Sequence, residues 1–213
     1  MEILVIAAHP DDEVLGMGAT IKKYSKKNKI RLCVVSEGAS AQYENKKMIE
    51  VRQNACKKCA KILGISSTNF LDFPDMRLDS IPQVEINIEL EKIINEFKSK
   101  IIYTTPQNDL NKDHQKVFES TLVVSRPHSS QVKQILCYEI PGIRKNEFKP
   151  NVYENVEKEF KYKINGFKQY KSEIQKFPYP RSIKSIENLA IQRGIESNFK
   201  KAESFELIKN IKN

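Results

Sequence analysis

Five short apolar runs, at 3–8, 30–36, 69–73, 100–105 and 134–139, alternate with helix-compatible stretches at 15–26, 44–63, 84–97 and 113–125. A strand that is apolar along its whole length has to be covered on both faces, and a helix between two such strands provides the crossover that a parallel pair requires. The pattern therefore predicts an α/β, Rossmann-like three-layer fold around a mostly parallel sheet. After Pro150 the pattern shifts to stretches rich in Lys and Glu, which predict a helical C-terminal extension over about 151–213. Within it, helices are expected near 155–176 and 182–193, separated by the breaker Phe177-Pro178-Tyr179-Pro180 and followed by a strand or helix near 203–209. No repeat or low-complexity linker divides the chain, so 1–213 is expected to be one domain with the extension as part of it.

With 39% apolar residues and no unbroken apolar run near the ~20 that a membrane helix needs, membrane insertion is not expected. The opening Met1-Glu2-Ile3-Leu4-Val5-Ile6 has no basic leader, which suggests a cytoplasmic protein. The four cysteines suit free thiols in a reducing compartment, and Cys56 and Cys59 fall on the apolar stripe of a helix. The net charge of +9 is spread among Ile, Asn and Glu. With no interleaved aromatic stripe or finger spacing, a nucleic-acid-binding module has little behind it except that charge. A dinucleotide site at Gly16-Met17-Gly18 is opposed by Asp11, Asp12 and Glu13, whose charges would repel a pyrophosphate.

The first strand runs directly into His9-Pro10-Asp11-Asp12-Glu13. One imidazole and three carboxylates where a strand of an open α/β sheet ends form a dense set of metal ligands at the edge where such sheets bind ligands. Helix capping by Asp11 or Asp12 is the competing reading, but capping requires neither the His nor the second Asp. A catalytic metal with an open position needs a further ligand from elsewhere. His114, in the loop leaving the fourth strand, belongs to the same rim. His128 lies about 21 Å further along if the intervening segment is helical, and its Arg126-Pro127-His128-Ser129-Ser130 surroundings read as an exposed turn. Which Asp faces the metal and which the reacting water is left open by the residues alone.

His9-Pro10-Asp11-Asp12-Glu13 followed about a hundred residues later by Asp113-His114 resembles the PIG-L/LmbE-like metal-dependent N-deacetylases. Ser36-Glu37-Gly38, Arg52, Leu63-Gly64-Ile65 and Phe73-Pro74-Asp75 resemble further landmarks of that family. The resemblance implies that His9, Asp12 and His114 bind zinc, with Fe2+ or Mn2+ able to use the same ligands. It also implies that Asp11 is the general base and that Arg52 and Asp75 approach the substrate. Two positions depart from the family pattern: Asn111 stands where many members have a His three residues before the ligand His, and Ala55 where an acid often follows the helical Arg. Asn111 can contact substrate but carries no titrating proton, so it cannot be a general acid.

Asp109-Leu110-Asn111-Lys112-Asp113-His114, Arg126-Pro127, Pro180-Arg181-Ser182, Arg193-Gly194 and Ala202-Glu203-Ser204-Phe205 resemble a bacterial branch associated with surface-polysaccharide assembly. The implied substrate is an N-acetylated amino sugar, nucleotide-linked or otherwise anionic. Another N-acyl compound, such as a thiol-linked glucosamine conjugate, is the alternative. Arg181 and Arg193 either pair with the anionic group of that substrate or make structural salt bridges. Homo-oligomerisation is left open.

Overall fold

Strand β1 (Glu2–Ala7) shows why the sheet is buried on both sides, because its side chains alternate between two separate cores. Ile3, Val5 and Ala7 enter one core, and Leu4, Ile6 and the following Ala8 enter the other. The computed structural model describes residues 1–43 and 47–212. Around β1 it places β2 (Lys29–Ser36), β3 (Ser67–Phe73), β4 (Ile101–Thr104), β5 (Gln134–Tyr138), β6 (Val152–Asn155) and β7 (Ala202–Asn210) in one sheet of order β3-β2-β1-β4-β5-β7-β6. The first five strands pair in parallel, whereas β7 is antiparallel to both β5 and β6.

Helices α1 (Asp12–Tyr24), α2 (Lys47–Leu63), α5 (Phe160–Phe167) and α6 (Ile183–Ser197) cover one face. Helices α3 (Gln83–Phe97) and α4 (Lys112–Val124) cover the other. The three-layer expectation holds. The first three positions of the helix expected over 44–63 lie outside the described residues. Cys56 and Cys59 are buried, unoxidised members of the α2 face that packs on the sheet.

The extension after Pro150 differs from the helical expectation. β6 precedes the helix expected near 155–176, of which α5 covers only Phe160–Phe167, and 168–182 is a run of turns and bends. Val152-Tyr153-Glu154-Asn155 is a four-residue edge strand that is nowhere fully buried and too short to show a two-residue period. The segment near 203–209 is a nine-residue strand set between β5 and β6, so the extension completes the sheet.

Helix α1 is kinked at Met17, whose φ of −145° is not helical. The flanking glycines lie inside this helix and not in a phosphate-cradling turn. The kink turns the N–H groups of Ala19 and Thr20 to the Glu203 carboxylate at 3.1 and 2.6 Å, and Lys163 pairs with that buried acid at 2.7 Å. A Cβ on Gly16 would fall within the ring of Tyr138, which cannot retreat because it is fully buried and its hydroxyl donates to the Ile6 carbonyl at 2.9 Å. Gly16→Ala is therefore expected to lower the unfolding free energy by about 1–3 kcal/mol through overpacking, measurable as a reduced urea midpoint.

Candidate active site

The strand order reverses at β1, whose neighbours β2 and β4 lead away in opposite directions, and the chain leaves β1 there through His9, Pro10 and Asp11. Asp11 has φ 123°, a backbone region L-residues rarely adopt, at a strain cost on the order of 1–3 kcal/mol. The turn is held from three sides. The His9 N–H donates to Asp12 Oδ2 at 2.8 Å, the Asp11 N–H donates to Glu13 Oε2 at 3.1 Å, and Arg52 donates to the Pro10 carbonyl at 2.8 Å and to the Gly38 carbonyl. Asp11 occupies the N-cap position of α1 but makes no side-chain capping bond, so capping does not explain it.

This turn and the start of α4 bring three donor atoms together. His9 Nδ1 is 3.3 Å from His114 Nε2, and Asp12 Oδ2 is 3.4 Å from the first and 3.3 Å from the second. The edge of a tetrahedron with metal–ligand bonds near 2.0–2.1 Å is about 3.3–3.4 Å, so the donor set fits a divalent ion. The outer ring nitrogens are also committed: His9 Nε2 meets Asp113 Oδ2 at 3.0 Å, and His114 Nδ1 meets Asp109 Oδ2 at 2.9 Å. Each carboxylate accepts the outer N–H and so turns the lone pair of the other nitrogen inward, the arrangement that fixes metal-binding histidines. Burial by itself would depress His9, but its hydrogen bonds to Asp113 and Asp12 push it up to about 9. His114 is driven to about 10 against the same burial by the Asp12 charge and by Asp109. Both shifts express the demand of this buried pocket for positive charge.

Beside the donor set lies a second buried charge group. Asp11 Oδ2 stands 3.4 Å from both Arg52 and Arg181, and Glu173 Oε2 stands 2.9 Å from Arg181 and 3.6 Å from Arg52. Neither Asp11 oxygen accepts a hydrogen bond. Burial raises this carboxyl to about 6 in spite of the two guanidinium groups. Glu13 is raised by burial to about 7, although the Tyr170 hydroxyl donates to it at 2.6 Å. A cleft of about 520 Å3 opens over both groups, lined among others by His9, Arg52, Asp75, Asn111, His114 and Arg181.

The family model described as PIG-L, GlcNAc-PI de-N-acetylase, matches residues 4–125. The chain is 32% identical over 176 residues to the uncharacterised deacetylase YaiS of Escherichia coli (strain K12), a match covering 80% of this chain and 90% of that protein. The chain belongs to the PIG-L family. Its fold is shared with N,N'-diacetylchitobiose deacetylase from Pyrococcus horikoshii, with TM-score 0.83, 18% identity and coverage of 98% of this chain and 84% of that one. It is shared equally with GalB, the 4-carboxy-2-hydroxymuconate hydratase of Pseudomonas putida KT2440, with TM-score 0.82, 16% identity and coverage of 100% and 98%. The fold therefore hosts more than one reaction, and it is the family match that makes this PIG-L protein a hydrolytic N-deacetylase of the metal-dependent kind.

In this PIG-L chain the other expected site residues fall in different places. Asp75 lines the cleft, with Oδ1 3.4 Å from His9 Nε2 and its N–H donating to Glu37. Asn111 also lines the cleft. Its Oδ1 accepts the Asp113 N–H at 2.9 Å and caps α4, while Nδ2 reaches only Met76 Sδ at 3.4 Å. Arg181 lines the cleft wall, but Arg193 does not: its guanidinium forks onto both Glu139 oxygens at 2.7 Å and onto Glu196 at 2.8 Å. The substrate-binding expectation for Arg193 is thus corrected to a structural salt bridge, because its donors are committed to those two acids. His128 is exposed.

Sequence reading missed Glu173, Asp109 and the pairing of Asp113. An acid next to each ligand imidazole is a general expectation for a metal-binding His. Nothing in the sequence says, however, that Asp113 serves His9 and not its neighbour His114. Glu173 supplies Arg52 with an acid from a distant turn, where Ala55 leaves none three positions further along the helix.

A metal takes only the unprotonated ring, and both imidazoles hold protons near neutrality when no ion competes. Uptake of a divalent ion by metal-free protein at pH 7 is therefore expected to release protons. Apparent affinity is expected to rise with pH until the range of about 9 to about 10 is passed. Calorimetric titration in buffers of different ionisation enthalpy measures the release, and uptake with none released contradicts this ligand set.

Proposed function

We propose that this PIG-L deacetylase is a zinc enzyme that hydrolyses the acetamide of an N-acetylated amino sugar, with His9, Asp12 and His114 as the metal ligands. The observation that carries the reading is the set of three buried donor atoms, 3.3–3.4 Å apart, whose outer ring nitrogens are locked by Asp113 and Asp109. Two imidazoles and one carboxylate match an open catalytic zinc site, and Fe2+ or Mn2+ can occupy the same ligands. The chemistry such an ion supplies when bound is Lewis acidity towards water and towards an amide carbonyl.

The two adjacent aspartates divide the work. Asp12 faces both imidazoles, while the strained φ of Asp11 turns its carboxylate towards Arg52 and Arg181. Asp11 is then the general base that takes the proton of the attacking water. With both oxygens free of hydrogen bonds and its acidity weakened by burial, it accepts that proton readily. Arg52 and Arg181 keep it ionised beforehand by their charge. The same proton returns from Asp11 to the departing amine, since Asn111 has none to give. Asp75 and Asn111 offer polar contacts to the sugar at the cleft wall.

The sugar is drawn as a component of surface-polysaccharide assembly, and the cell compartment as the cytoplasm, in keeping with four free buried cysteines. Residues 1–213 act as one domain, supported by β7 lying between β5 and β6 in the common sheet. Of the two arginines expected to hold an anionic handle, Arg181 alone reaches the cleft.

Screening metal-loaded protein on N-acetylated sugars and sugar nucleotides for acetate release tests the activity. Asp11→Asn is expected to keep the metal and lose about 10²- to 10⁴-fold in turnover. Full activity, or loss of metal, in that variant exchanges the roles of Asp11 and Asp12. Asn111→Ala is expected to slow the reaction without removing a limb of the pH–rate profile, and a lost limb would assign a proton transfer to that position. Failure on every N-acetyl sugar redirects the search to other N-acyl amides, such as thiol-linked glucosamine conjugates.

A further inference from the structure

We propose that the mouth of the cleft binds an apolar group carried by the substrate, an alkyl or aryl aglycone on the acetylated sugar. The proposal rests on the deacetylase reading of the same site and extends it. Four large apolar side chains line this cleft while remaining open to solvent: Met76 at 49% exposure, Leu110 at 54%, Tyr179 at 55% and Ile143 at 77%. They come from four different connections, after β3, after β4, after β5 and between α5 and α6. Single exposed apolar residues are ordinary on a protein surface, whereas a convergent set around one opening marks a binding surface. Ile140 and Pro141 continue the apolar wall inward as buried residues.

The charges of the cleft point the same way. Among its described lining residues the ionic groups are Arg52, Arg181, Asp75 and Asp109, besides the two histidines. Arg52 and Arg181 are each paired with Asp11 and Glu173, Asp75 with His9, and Asp109 with His114. A phosphate entering here would have to share Arg181, whose Nη1 already faces two buried carboxylates, one of them the proposed base. An uncharged apolar group meets no such competition and removes the four exposed side chains from water.

The test uses the full-length, metal-loaded protein and three probes: methyl N-acetyl-β-glucosaminide, its hexyl counterpart and UDP-linked N-acetylglucosamine. Binding is measured by calorimetry and hydrolysis by acetate release, for wild type and for the Leu110→Ser/Ile143→Ser double variant, whose changes lie on exposed loops. The hexyl glycoside is expected to bind roughly tenfold or more tightly than the methyl one, equivalent to burying about two methylene groups, and this ratio is expected to shrink towards one in the double variant. Equal affinities in wild type, a ratio that the double variant leaves intact, or tightest binding by the nucleotide-linked sugar would each overturn the proposal. So would sedimentation showing that the double variant dissociates an oligomer while the hexyl preference persists, since the rim would then belong to a second copy. Hexyl-selective binding without hydrolysis of any N-acetyl sugar would uphold the apolar site and overturn the functional reading beneath it.

Discussion

Two imidazole lone pairs and a carboxylate oxygen directed at one buried point repel one another unless a positive charge sits among them. Much of the surrounding structure follows from keeping that arrangement in place. Asp113 and Asp109 hold the rings by their outer nitrogens, and Asp113 is itself fixed by the N–H groups of Met76 and Leu78 at 2.8 and 3.0 Å. The loop after β3, the loop after β4 and the exit from β1 are therefore tied together by carboxylates. Arg52 fastens the turn from the other side through two backbone carbonyls. The polar site is as fully buried as the cores, but it is organised by directional bonds and not by volume.

The donor set had a sequence signature because it depends on local order. His9 through Glu13 are contiguous, and Asp113-His114 follows a recognisable strand, so the topology of an open α/β sheet alone brings them to one edge. The unbroken apolar run of β1 and the helical spacing of Cys56, Cys59 and Leu63 were legible for the same reason. Glu173 was not, because it reaches Arg52 and Arg181 from a run of turns whose path depends on tertiary packing. β6 failed for the opposite cause: it is a strand only because β7 pairs with it, and its own four residues carry no preference strong enough to show. Arg181 and Arg193 looked equivalent in sequence, and only the position of buried Glu139 beside one of them separates a cleft residue from a structural ion pair.

That the same backbone supports a deacetylase and a hydratase is understandable from this division. The sheet and its two cores specify where ligands can gather, while the chemistry depends on a few side chains on the connections at the carboxyl edge. In this chain those connections also carry Met76, Leu110, Ile143 and Tyr179. Substrate preference can thus change through exposed residues without disturbing the buried donors.

The kink in α1 has a consequence for how the protein is made. The two N–H groups it frees are satisfied by Glu203, and Glu13 in the first turn of the same helix is met by Tyr170, so the helix that leaves the ligand turn is completed by side chains translated more than 150 residues later. During synthesis the first strand and helix emerge well before the groups that complete them in the folded chain. Non-local closure of this kind is slow compared with helix formation. The turn that carries the motif therefore reaches its final geometry only after the last strand has been made and has paired between β5 and β6.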